Sequence, residues 1–251
     1  MPQPLLEVAG VVKDFGGLHV LRGVDFALGA GEIRCIIGPN GCGKTTLFNI
    51  ITGAFPPSAG TVAFRGEDIT GLPPHLIARR GIVRKFQVPG IYPTLSVGEN
   101  LEIPLTGRQR AVHPLALLRQ SRAGAPRLHA LIERFGLASH AARAAGSLAH
   151  GLKQWLEIAM LEAAQGDLLL LDEPTAGMSA AETAATVELI RRIQAEQGAA
   201  VLVIEHDMSF VRQLGCVVAV MIRGSMRFQG SYDEVQSHPE VREAYLGPAI
   251  A

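Results

Sequence analysis

Four short stretches carry residue types that can do chemistry. The first runs Gly38-Pro39-Asn40-Gly41-Cys42-Gly43-Lys44-Thr45, which fits the spacing G-x-x-x-x-G-K-[ST], and Thr46 follows it. Glycines at this spacing let the backbone wrap closely around a polyphosphate. The N–H groups of the loop and of the following helix start then point at the anion. Lys44 is placed to reach the terminal phosphates, and the Thr45 hydroxyl to ligate magnesium. The second stretch is Asp172-Glu173, two carboxylates directly after Leu168-Leu169-Leu170-Leu171. Asp172 can hold the magnesium shell that Thr45 also serves, and Glu173 can polarise an attacking water. The third is His206, at the end of the apolar run from Ala199 to Ile204. An isolated histidine is more often structural, but one at this position reads as a phosphate contact. The fourth, Ser147-Leu148-Ala149-His150-Gly151, is a polar, glycine-containing helix start that can bind an anion or simply cap its helix.

These groups need a scaffold that brings them together. Ile33-Arg34-Cys35-Ile36-Ile37 reads as a buried strand leading into the glycine loop, and Leu47, Phe48, Ile50 and Ile51 fall at helical spacing after it. Four consecutive leucines read as a strand buried on both faces. In open parallel sheets ligands gather at the carboxyl ends of the strands, so the loop, Asp172, Glu173 and His206 are expected at one edge. Ile82 to Phe86 is a further strand. It ends at Gln87, a polar residue whose meaning depends on its surroundings. Nearer the N-terminus, strands are predicted at Leu5 to Val12 and Val20 to Leu28, with Gly16-Gly17 as the turn. Phe15, just before that turn, can stack on adenine; a plain core or turn aromatic fits equally well.

The rest of the pattern alternates strand and helix. Gly60 to Phe64 reads as a strand, and Pro73-Pro74 starts a short helix. From Val88 to Glu162 no strong strand appears. Helices are predicted at Ser96 to Leu105 and Leu128 to Phe135. Between them, Thr106 to Arg127 is irregular and basic, with Arg108, Arg110, Arg119, Arg122 and Arg127 and no acid. Such a run is usually a solvated loop, and less often a contact for lipid headgroups or an acidic partner. A helix from Gly151 carries an apolar stripe of Leu152, Trp155, Leu156, Ala159, Met160 and Ala163, with Trp155 as a core anchor. Ser179-Ala180-Ala181-Glu182 matches a capping box opening a helix to about Ala195. Val217 to Ile222 and Ser225 to Gln229 read as a hairpin, and Tyr232 to Tyr245 as one closing helix. The fold class is α/β, a mainly parallel sheet with an N-terminal antiparallel β part and a helical subdomain. A single domain spans 1–251, its core at 1–87 and 166–251 and the helical part at 88–165.

Composition narrows the function classes. The 251 residues include 23 basic and 23 acidic ones, so a nucleic-acid role has no global electrostatic support. Aromatics make up only 5%, so the core must be mainly aliphatic. No apolar run approaches the roughly 18 residues of a membrane span. Met1-Pro2-Gln3-Pro4 shows no export signal. Cys35, Cys42 and Cys216 have no metal-ligand spacing and suit a reducing compartment, which predicts a cytoplasmic protein. Membrane attachment would then come through a partner.

In their order along the chain, the glycine loop, Gln87, the helix start at 147–151, Asp172-Glu173 and His206 resemble an ABC transporter ATPase subunit, a P-loop NTPase. The resemblance covers nearly the whole chain. It implies that Gly38 to Thr45 is the Walker A motif, Gln87 the Q-loop, Leu148 to Leu152 the signature, Leu168 to Asp172 Walker B and His206 the switch histidine. Phe15 falls at the adenine-stacking position. The ligands implied are ATP and magnesium. Gly38 to Thr46 would cradle the phosphates, and Thr45, Gln87 and Asp172 would hold the metal. Lys44, Gln87, Glu173 and His206 would serve hydrolysis. The implied partners are a second ATPase subunit, identical or not, transmembrane permease subunits and, through them, a solute-binding protein. The chain would sit at the cytoplasmic face of a bacterial inner membrane. Gly81-Ile82-Val83-Arg84-Lys85-Phe86-Gln87, Ala176-Gly177-Met178 and Tyr245-Leu246-Gly247 look like the branched-chain amino-acid and urea importers. Lys85-Phe86-Gln87 and Leu148-Ala149-His150-Gly151 are most similar to the urea type.

Two departures stand out. The signature usually reads L-S-G-G-Q; here Ala149 replaces the serine, His150 the first glycine and Leu152 the glutamine. Ala149, His150 and Gly151 would still face a nucleotide on the opposite subunit, but without a hydroxyl worth about 1.5–3 kcal/mol on a buried phosphate. Ser179 stands where the family often has Asp or Asn. The rival readings are the ATPase of another importer or of a lipid exporter, a soluble ABC ATPase of DNA repair or translation, and a nucleotide-binding scaffold without hydrolysis. Against the soluble ATPase, the chain has no coiled-coil insertion and no second cassette. Against the scaffold, Asp172, Glu173 and His206 are intact.

Overall fold

Strand polarity and burial organise the chain into two sheets. The computed structural model describes residues 3–85, 90–107 and 126–246. Strands β1 (Leu6–Phe15) and β2 (Leu18–Leu28) pair antiparallel across Gly16-Gly17. On the far side of β1 lie β4 (Ala59–Phe64) and β5 (Glu67–Asp68), giving a four-stranded antiparallel sheet in the order β2-β1-β4-β5. The second sheet holds β3 (Ile33–Ile37), β6 (Ile82–Lys85), β7 (Leu168–Asp172), β8 (Ala200–Ile204), β9 (Val217–Ile222) and β10 (Ser225–Gly230). Their order is β10-β9-β3-β8-β7-β6, parallel throughout except at β10. The strand that feeds the glycine loop is therefore central.

Alternation along these strands separates two cores. Leu168 and Leu170, Leu202 and Ile204, Ile36 and Met221 face one core, shared with α1 (Lys44–Ile51), α2 (Pro74–Arg79) and the antiparallel sheet. Leu169 and Leu171, Val201 and Val203, Cys35 and Ile37 face the other. That second core is closed by α3 (Val97–Gly107), α4 (126–134), α5 (His150–Ala164), α6 (Ala180–Gln197) and α7 (Met208–Leu214). The helices after β6 thus share their apolar interior with one face of the sheet. No described helix is long and apolar enough to cross a membrane.

Several elements differ from the sequence reading. The closing helix is two, α8 (Tyr232–Ser237) and α9 (Pro239–Leu246). Proline disfavours helical geometry in the residue before it, and His238 is extended at φ −68°, ψ 125°. β1 runs on to include Phe15. Arg127 lies on α4 rather than in a loop, and it donates to the Ala163 carbonyl at 3.4 Å. Arg108, Arg110, Arg119 and Arg122 fall outside the described residues. Leu152, Trp155 and Met160 are only partly buried, while Ile158 and Leu161 of α5 are buried. Trp155 anchors through its indole N–H, which donates to Thr186 Oγ1 at 3.0 Å and ties α5 to α6. The short β5 and α7 were not foreseen.

Residues 92–96, ahead of α3, are organised by one side chain. Asn100 is fully buried. Its oxygen accepts from the Tyr92 N–H at 2.7 Å, and its amide donates to the Tyr92 and Ser96 carbonyls at 3.0 and 2.8 Å. Replacing Asn100 by Ala leaves several backbone groups without this partner in a site that water does not reach. The expected loss is about 2–3 kcal/mol, measured as a lower urea midpoint at unchanged m-value.

Candidate functional site

The glycine loop leaves β3 after Ile37 and ends at the start of α1. Close approach fixes its glycines. A Cβ at Gly38 would meet the Met221 carbonyl oxygen at 2.1 Å and Cys42 Sγ at 2.8 Å. Gly43 caps α1 at φ 106°, where a Cβ would meet a Leu21 methyl at 2.6 Å. Lys44 is buried, and its Nζ donates to the carbonyls of Gly38 at 2.6 Å and Pro39 at 3.1 Å. Its ammonium therefore lies inside the turn that the glycines make. Asn40, Gly41 and Thr45 are exposed, Pro39 and Thr46 half-buried. No acid lies in the first turn of α1 to oppose an anion there. Cys42 is 6% exposed and burial pushes its thiol up, so it is a weak nucleophile at neutral pH.

Sheet register brings the acids to the same edge. Asp172 pairs with Ile204, which pairs with Ile36. Glu173 N–H donates to the Ile204 carbonyl at 2.9 Å, and Glu205 N–H to the Ile36 carbonyl at 3.3 Å. Three adjacent strands, β7, β8 and β3, therefore end level. Glu173 itself is left-handed at φ 47°, a conformation that costs a non-glycine residue about 1–2 kcal/mol. Its Oε1 lies 3.6 Å from His206 Nδ1.

Asp172 is held by Arg84, the third residue of β6. Arg84 Nη2 donates to Asp172 Oδ2 at 2.9 Å and Nη1 to Asn49 Oδ1 of α1 at 2.6 Å, over the face of Phe48. Both charged side chains are almost fully buried, at 4% and 1% exposure. Burial pushes Asp172 above the usual carboxylate range, while the hydrogen bond and charge of Arg84 pull it back. Burial likewise lowers Arg84, and Asp172 opposes that shift.

A second carboxylate organises the end of β8. Glu205 is buried, and its Oε1 accepts from the Thr175 hydroxyl at 2.5 Å. Its Oε2 accepts from the N–H groups of His206 and Asp207 at 2.8 and 3.3 Å. The loop carrying His206 is thereby tied to the segment after Glu173.

The remaining predicted residues lie elsewhere. Phe15 is exposed on one side, edge-on to Phe55 at 5.3 Å, with Lys13 Nζ 5.0 Å from both rings. Its exposure is not that of a core aromatic, and a turn aromatic and a stacking platform both fit it. Gln87 falls outside the described residues. Ala149 is the N-cap of α5 and offers no side-chain cap. His150 Nε2 lies 2.9 Å from the Ala176 carbonyl, the geometry of an Nε2–H donor. A Cβ at Gly151 would meet Glu182 Oε1 at 2.3 Å. His150 and Gly151 are thus set against residues 176–182 of their own chain, with Ala149 just ahead of them.

Comparison with known proteins accords with this geometry. The family model described as "ABC transporter" matches residues 21–176. The chain belongs to the ABC transporter ATP-binding family. A second family model, "Branched-chain amino acid ATP-binding cassette transporter", matches residues 228–247. The chain is 38% identical to the high-affinity branched-chain amino acid transport ATP-binding protein LivG of Escherichia coli, over 99% of this chain and 100% of that protein. It is 36% identical to the corresponding protein BraF of Pseudomonas aeruginosa with the same coverage. Among solved structures, the ADP conformation of MJ1267, an ATP-binding cassette of an ABC transporter, superposes with a TM-score of 0.83 at 30% identity. The match covers 98% of this chain and 100% of that one. The cassette is accordingly an ATP-binding, ATP-hydrolysing transporter subunit, with an ABC ATPase fold.

Within the cassette, sequence reasoning passed over Arg84 and Glu205. Arg84 was visible only as a charge inside an apolar strand, and Glu205 as one of three polar residues after β8. The Arg84–Asp172 pair yields a test. Removing one partner of a buried ion pair costs about 3–5 kcal/mol, so Arg84→Gln should destabilise the cassette by that order at pH 7. Asp172, its folded pKa then raised further, binds a proton more tightly folded than unfolded. Stability from that proton is full below the unfolded carboxylate pKa and is lost as pH rises through the folded one. The deficit of Arg84→Gln against wild type should therefore be smaller at pH 5 than at pH 7, by chemical denaturation at both.

Proposed function

We propose that this cassette powers import of branched-chain amino acids as part of a dimer of ATPase subunits on a membrane permease. The observation that carries the reading is the convergence of the 38–46 loop, Asp172, Glu173 and His206 at one sheet edge. The names of the LivG and BraF relatives support the cargo. Urea, the other cargo suggested by the wording of residues 85–87 and 148–151, finds no such support in those names. The permease and a solute-binding protein would supply the membrane path and the solute selectivity. Attachment to the cytoplasmic face of the membrane would run through the permease.

The site chemistry fits a nucleoside triphosphate with magnesium. The loop amides and Lys44 offer positive charge to the phosphates. Hydroxyl and carboxylate oxygens suit a hard cation, and Thr45 and Asp172 would hold it. Asp172 Oδ1 stands apart from the bond that Arg84 makes to Oδ2. Gln87 would add a further oxygen. Magnesium, when bound, would neutralise charge on the β- and γ-phosphates.

Hydrolysis then asks the chain mainly for positioning. Glu173 orients a water and accepts its proton as the water oxygen bonds to the γ-phosphorus. The bond to the β–γ bridging oxygen breaks, leaving ADP and inorganic phosphate. His206, beside Glu173, contacts the γ-phosphate, as would Gln87. Phe15 takes the adenine. Ala149, His150 and Gly151 would close over nucleotide held by the other subunit, so that ATP draws the pair together and hydrolysis releases it.

Glu173→Gln should bind ATP within a few-fold of wild type while turnover falls about 10²–10⁴-fold, the usual loss of a general base. Unchanged turnover would remove Glu173 from that role. Ala149→Ser should raise turnover in the assembled transporter, because it restores a hydroxyl at the signature. Uptake of labelled leucine against labelled urea, in vesicles holding the cassette with its permease, decides the cargo.

A further inference from the structure

Successive residues of β6 point to opposite faces of the sheet, and both of its last two residues are basic. Arg84 turns toward α1 and Asp172. Lys85 turns the other way, toward α5. Lys85 is fully buried, its Nζ 3.3 Å from Glu157 Oε2, and the Glu157 side chain is 5% exposed. Glu157 does more than neutralise Lys85. Its Oε1 accepts from the Gly90 N–H at 2.9 Å. One carboxylate on α5 thus holds the end of β6 and the chain five residues further on.

Beyond Gly90 the contacts continue without a break. Asn100 fixes residues 92–96. The Pro93 and Leu95 carbonyls then accept from the N–H groups of Gly146 and Ala145, at 2.9 and 2.8 Å. Those two residues lead directly into Leu148–Gly151 and α5. Glu157 therefore closes a circuit that runs from β6 through the 90–96 segment to the start of α5. Replacing a buried ion pair by uncharged groups often leaves stability unchanged. Stability alone therefore does not account for this pair.

We propose that Lys85 and Glu157 are positioning residues that lock α5, with the signature at its start, to the end of β6. A displacement of α5 is then delivered through the adjacent Arg84 to Asp172. The proposal rests on the reading of this chain as a permease-coupled ATPase, and it adds the path by which the permease reaches the phosphate site.

The test uses the cassette in its assembled transporter. Lys85→Met/Glu157→Gln removes both charges, while glutamine still accepts from Gly90 N–H. Thermal stability, ATP affinity, basal turnover of the separate cassette and permease-stimulated turnover are measured against wild type and Lys85→Met alone. The single variant is expected to melt at a lower temperature. The double variant should recover the melting temperature, bind ATP and keep basal turnover within about twofold, yet lose permease stimulation by about tenfold or more. Wild-type stimulation in the stable double variant overturns the proposal. So does loss of ATP affinity in a folded double variant, because the pair would then be shaping the phosphate loop itself. Absence of ATP binding and turnover in wild type would instead defeat the functional reading. Should the double variant fail to fold, amide exchange in the wild-type transporter decides. Gly90 and the first turns of α5 must change protection together on adding ATP and magnesium, and independent changes overturn the lock.

Discussion

A guanidinium and a carboxylate do not enter a protein interior separately. Desolvating either costs several kcal/mol, and only a close, well-bonded partner offsets it. Arg84 and Asp172 meet that condition, and the place where they meet sets the geometry of the whole site. Asn49 and Phe48, which Arg84 also engages, belong to the helix that grows directly out of the glycine loop. Asp172 ends the strand beside β8, and β8 lies beside the strand that enters the loop. One side chain therefore spans from the helix after the glycine loop to the acid. The spacing between them is held by a bond as well as by sheet register.

The same edge carries strain, and the contacts around it show how the strain is borne. Glu173 adopts a left-handed backbone immediately after a buried strand. Its N–H is still satisfied by β8, and its carbonyl accepts from Ala176 N–H at 3.3 Å. Thr175 is bonded to Glu205. The turn is thus pinned at several points within three residues, which lets an unfavourable φ persist. Its effect is to carry the Glu173 carboxylate off the line of the strand and toward His206. Glu205, buried beneath both, fixes the backbone of the second residue while Ile204 fixes that of the first.

Much of this was legible in the sequence, for identifiable reasons. The glycine loop declares itself because its backbone tolerates few substitutions: the Met221 carbonyl and the Leu21 methyl exclude a Cβ at Gly38 and Gly43. Leu168–Leu171 and Ala199–Ile204 were readable as strands because both faces of the parallel sheet are covered. The partners of Arg84, Lys85 and Glu205 were not readable. Asp172, Glu157 and Thr175, which they respectively engage, lie 30 to 88 residues away, and nothing local marks which distant carboxylate or hydroxyl a buried charge will find. The break between α8 and α9 was present in His238-Pro239, since proline restricts the residue before it, but one helix was read across it. Phe15 could not be placed inside or outside the core, because exposure is a property of the folded surface.

The signature segment shows how a lost group and a gained one act at different points. Ala149 caps α5 without a side-chain acceptor, so the helix start lacks a hydroxyl, as would the phosphate contact proposed for this segment. His150, in place of a glycine, fills the space beside Gly177 and bonds to the Ala176 carbonyl. A glycine there could make neither contact. The start of α5 is therefore more firmly attached to residues 175–182 than the family's usual wording would allow. The same short segment is bonded on its other side to Glu205 and, through it, to the backbone of His206. Weakening at the proposed phosphate contact and stiffening toward residues 175–182 are separate physical effects. The second does not restore the first, because the bond His150 makes is to Ala176 of its own chain.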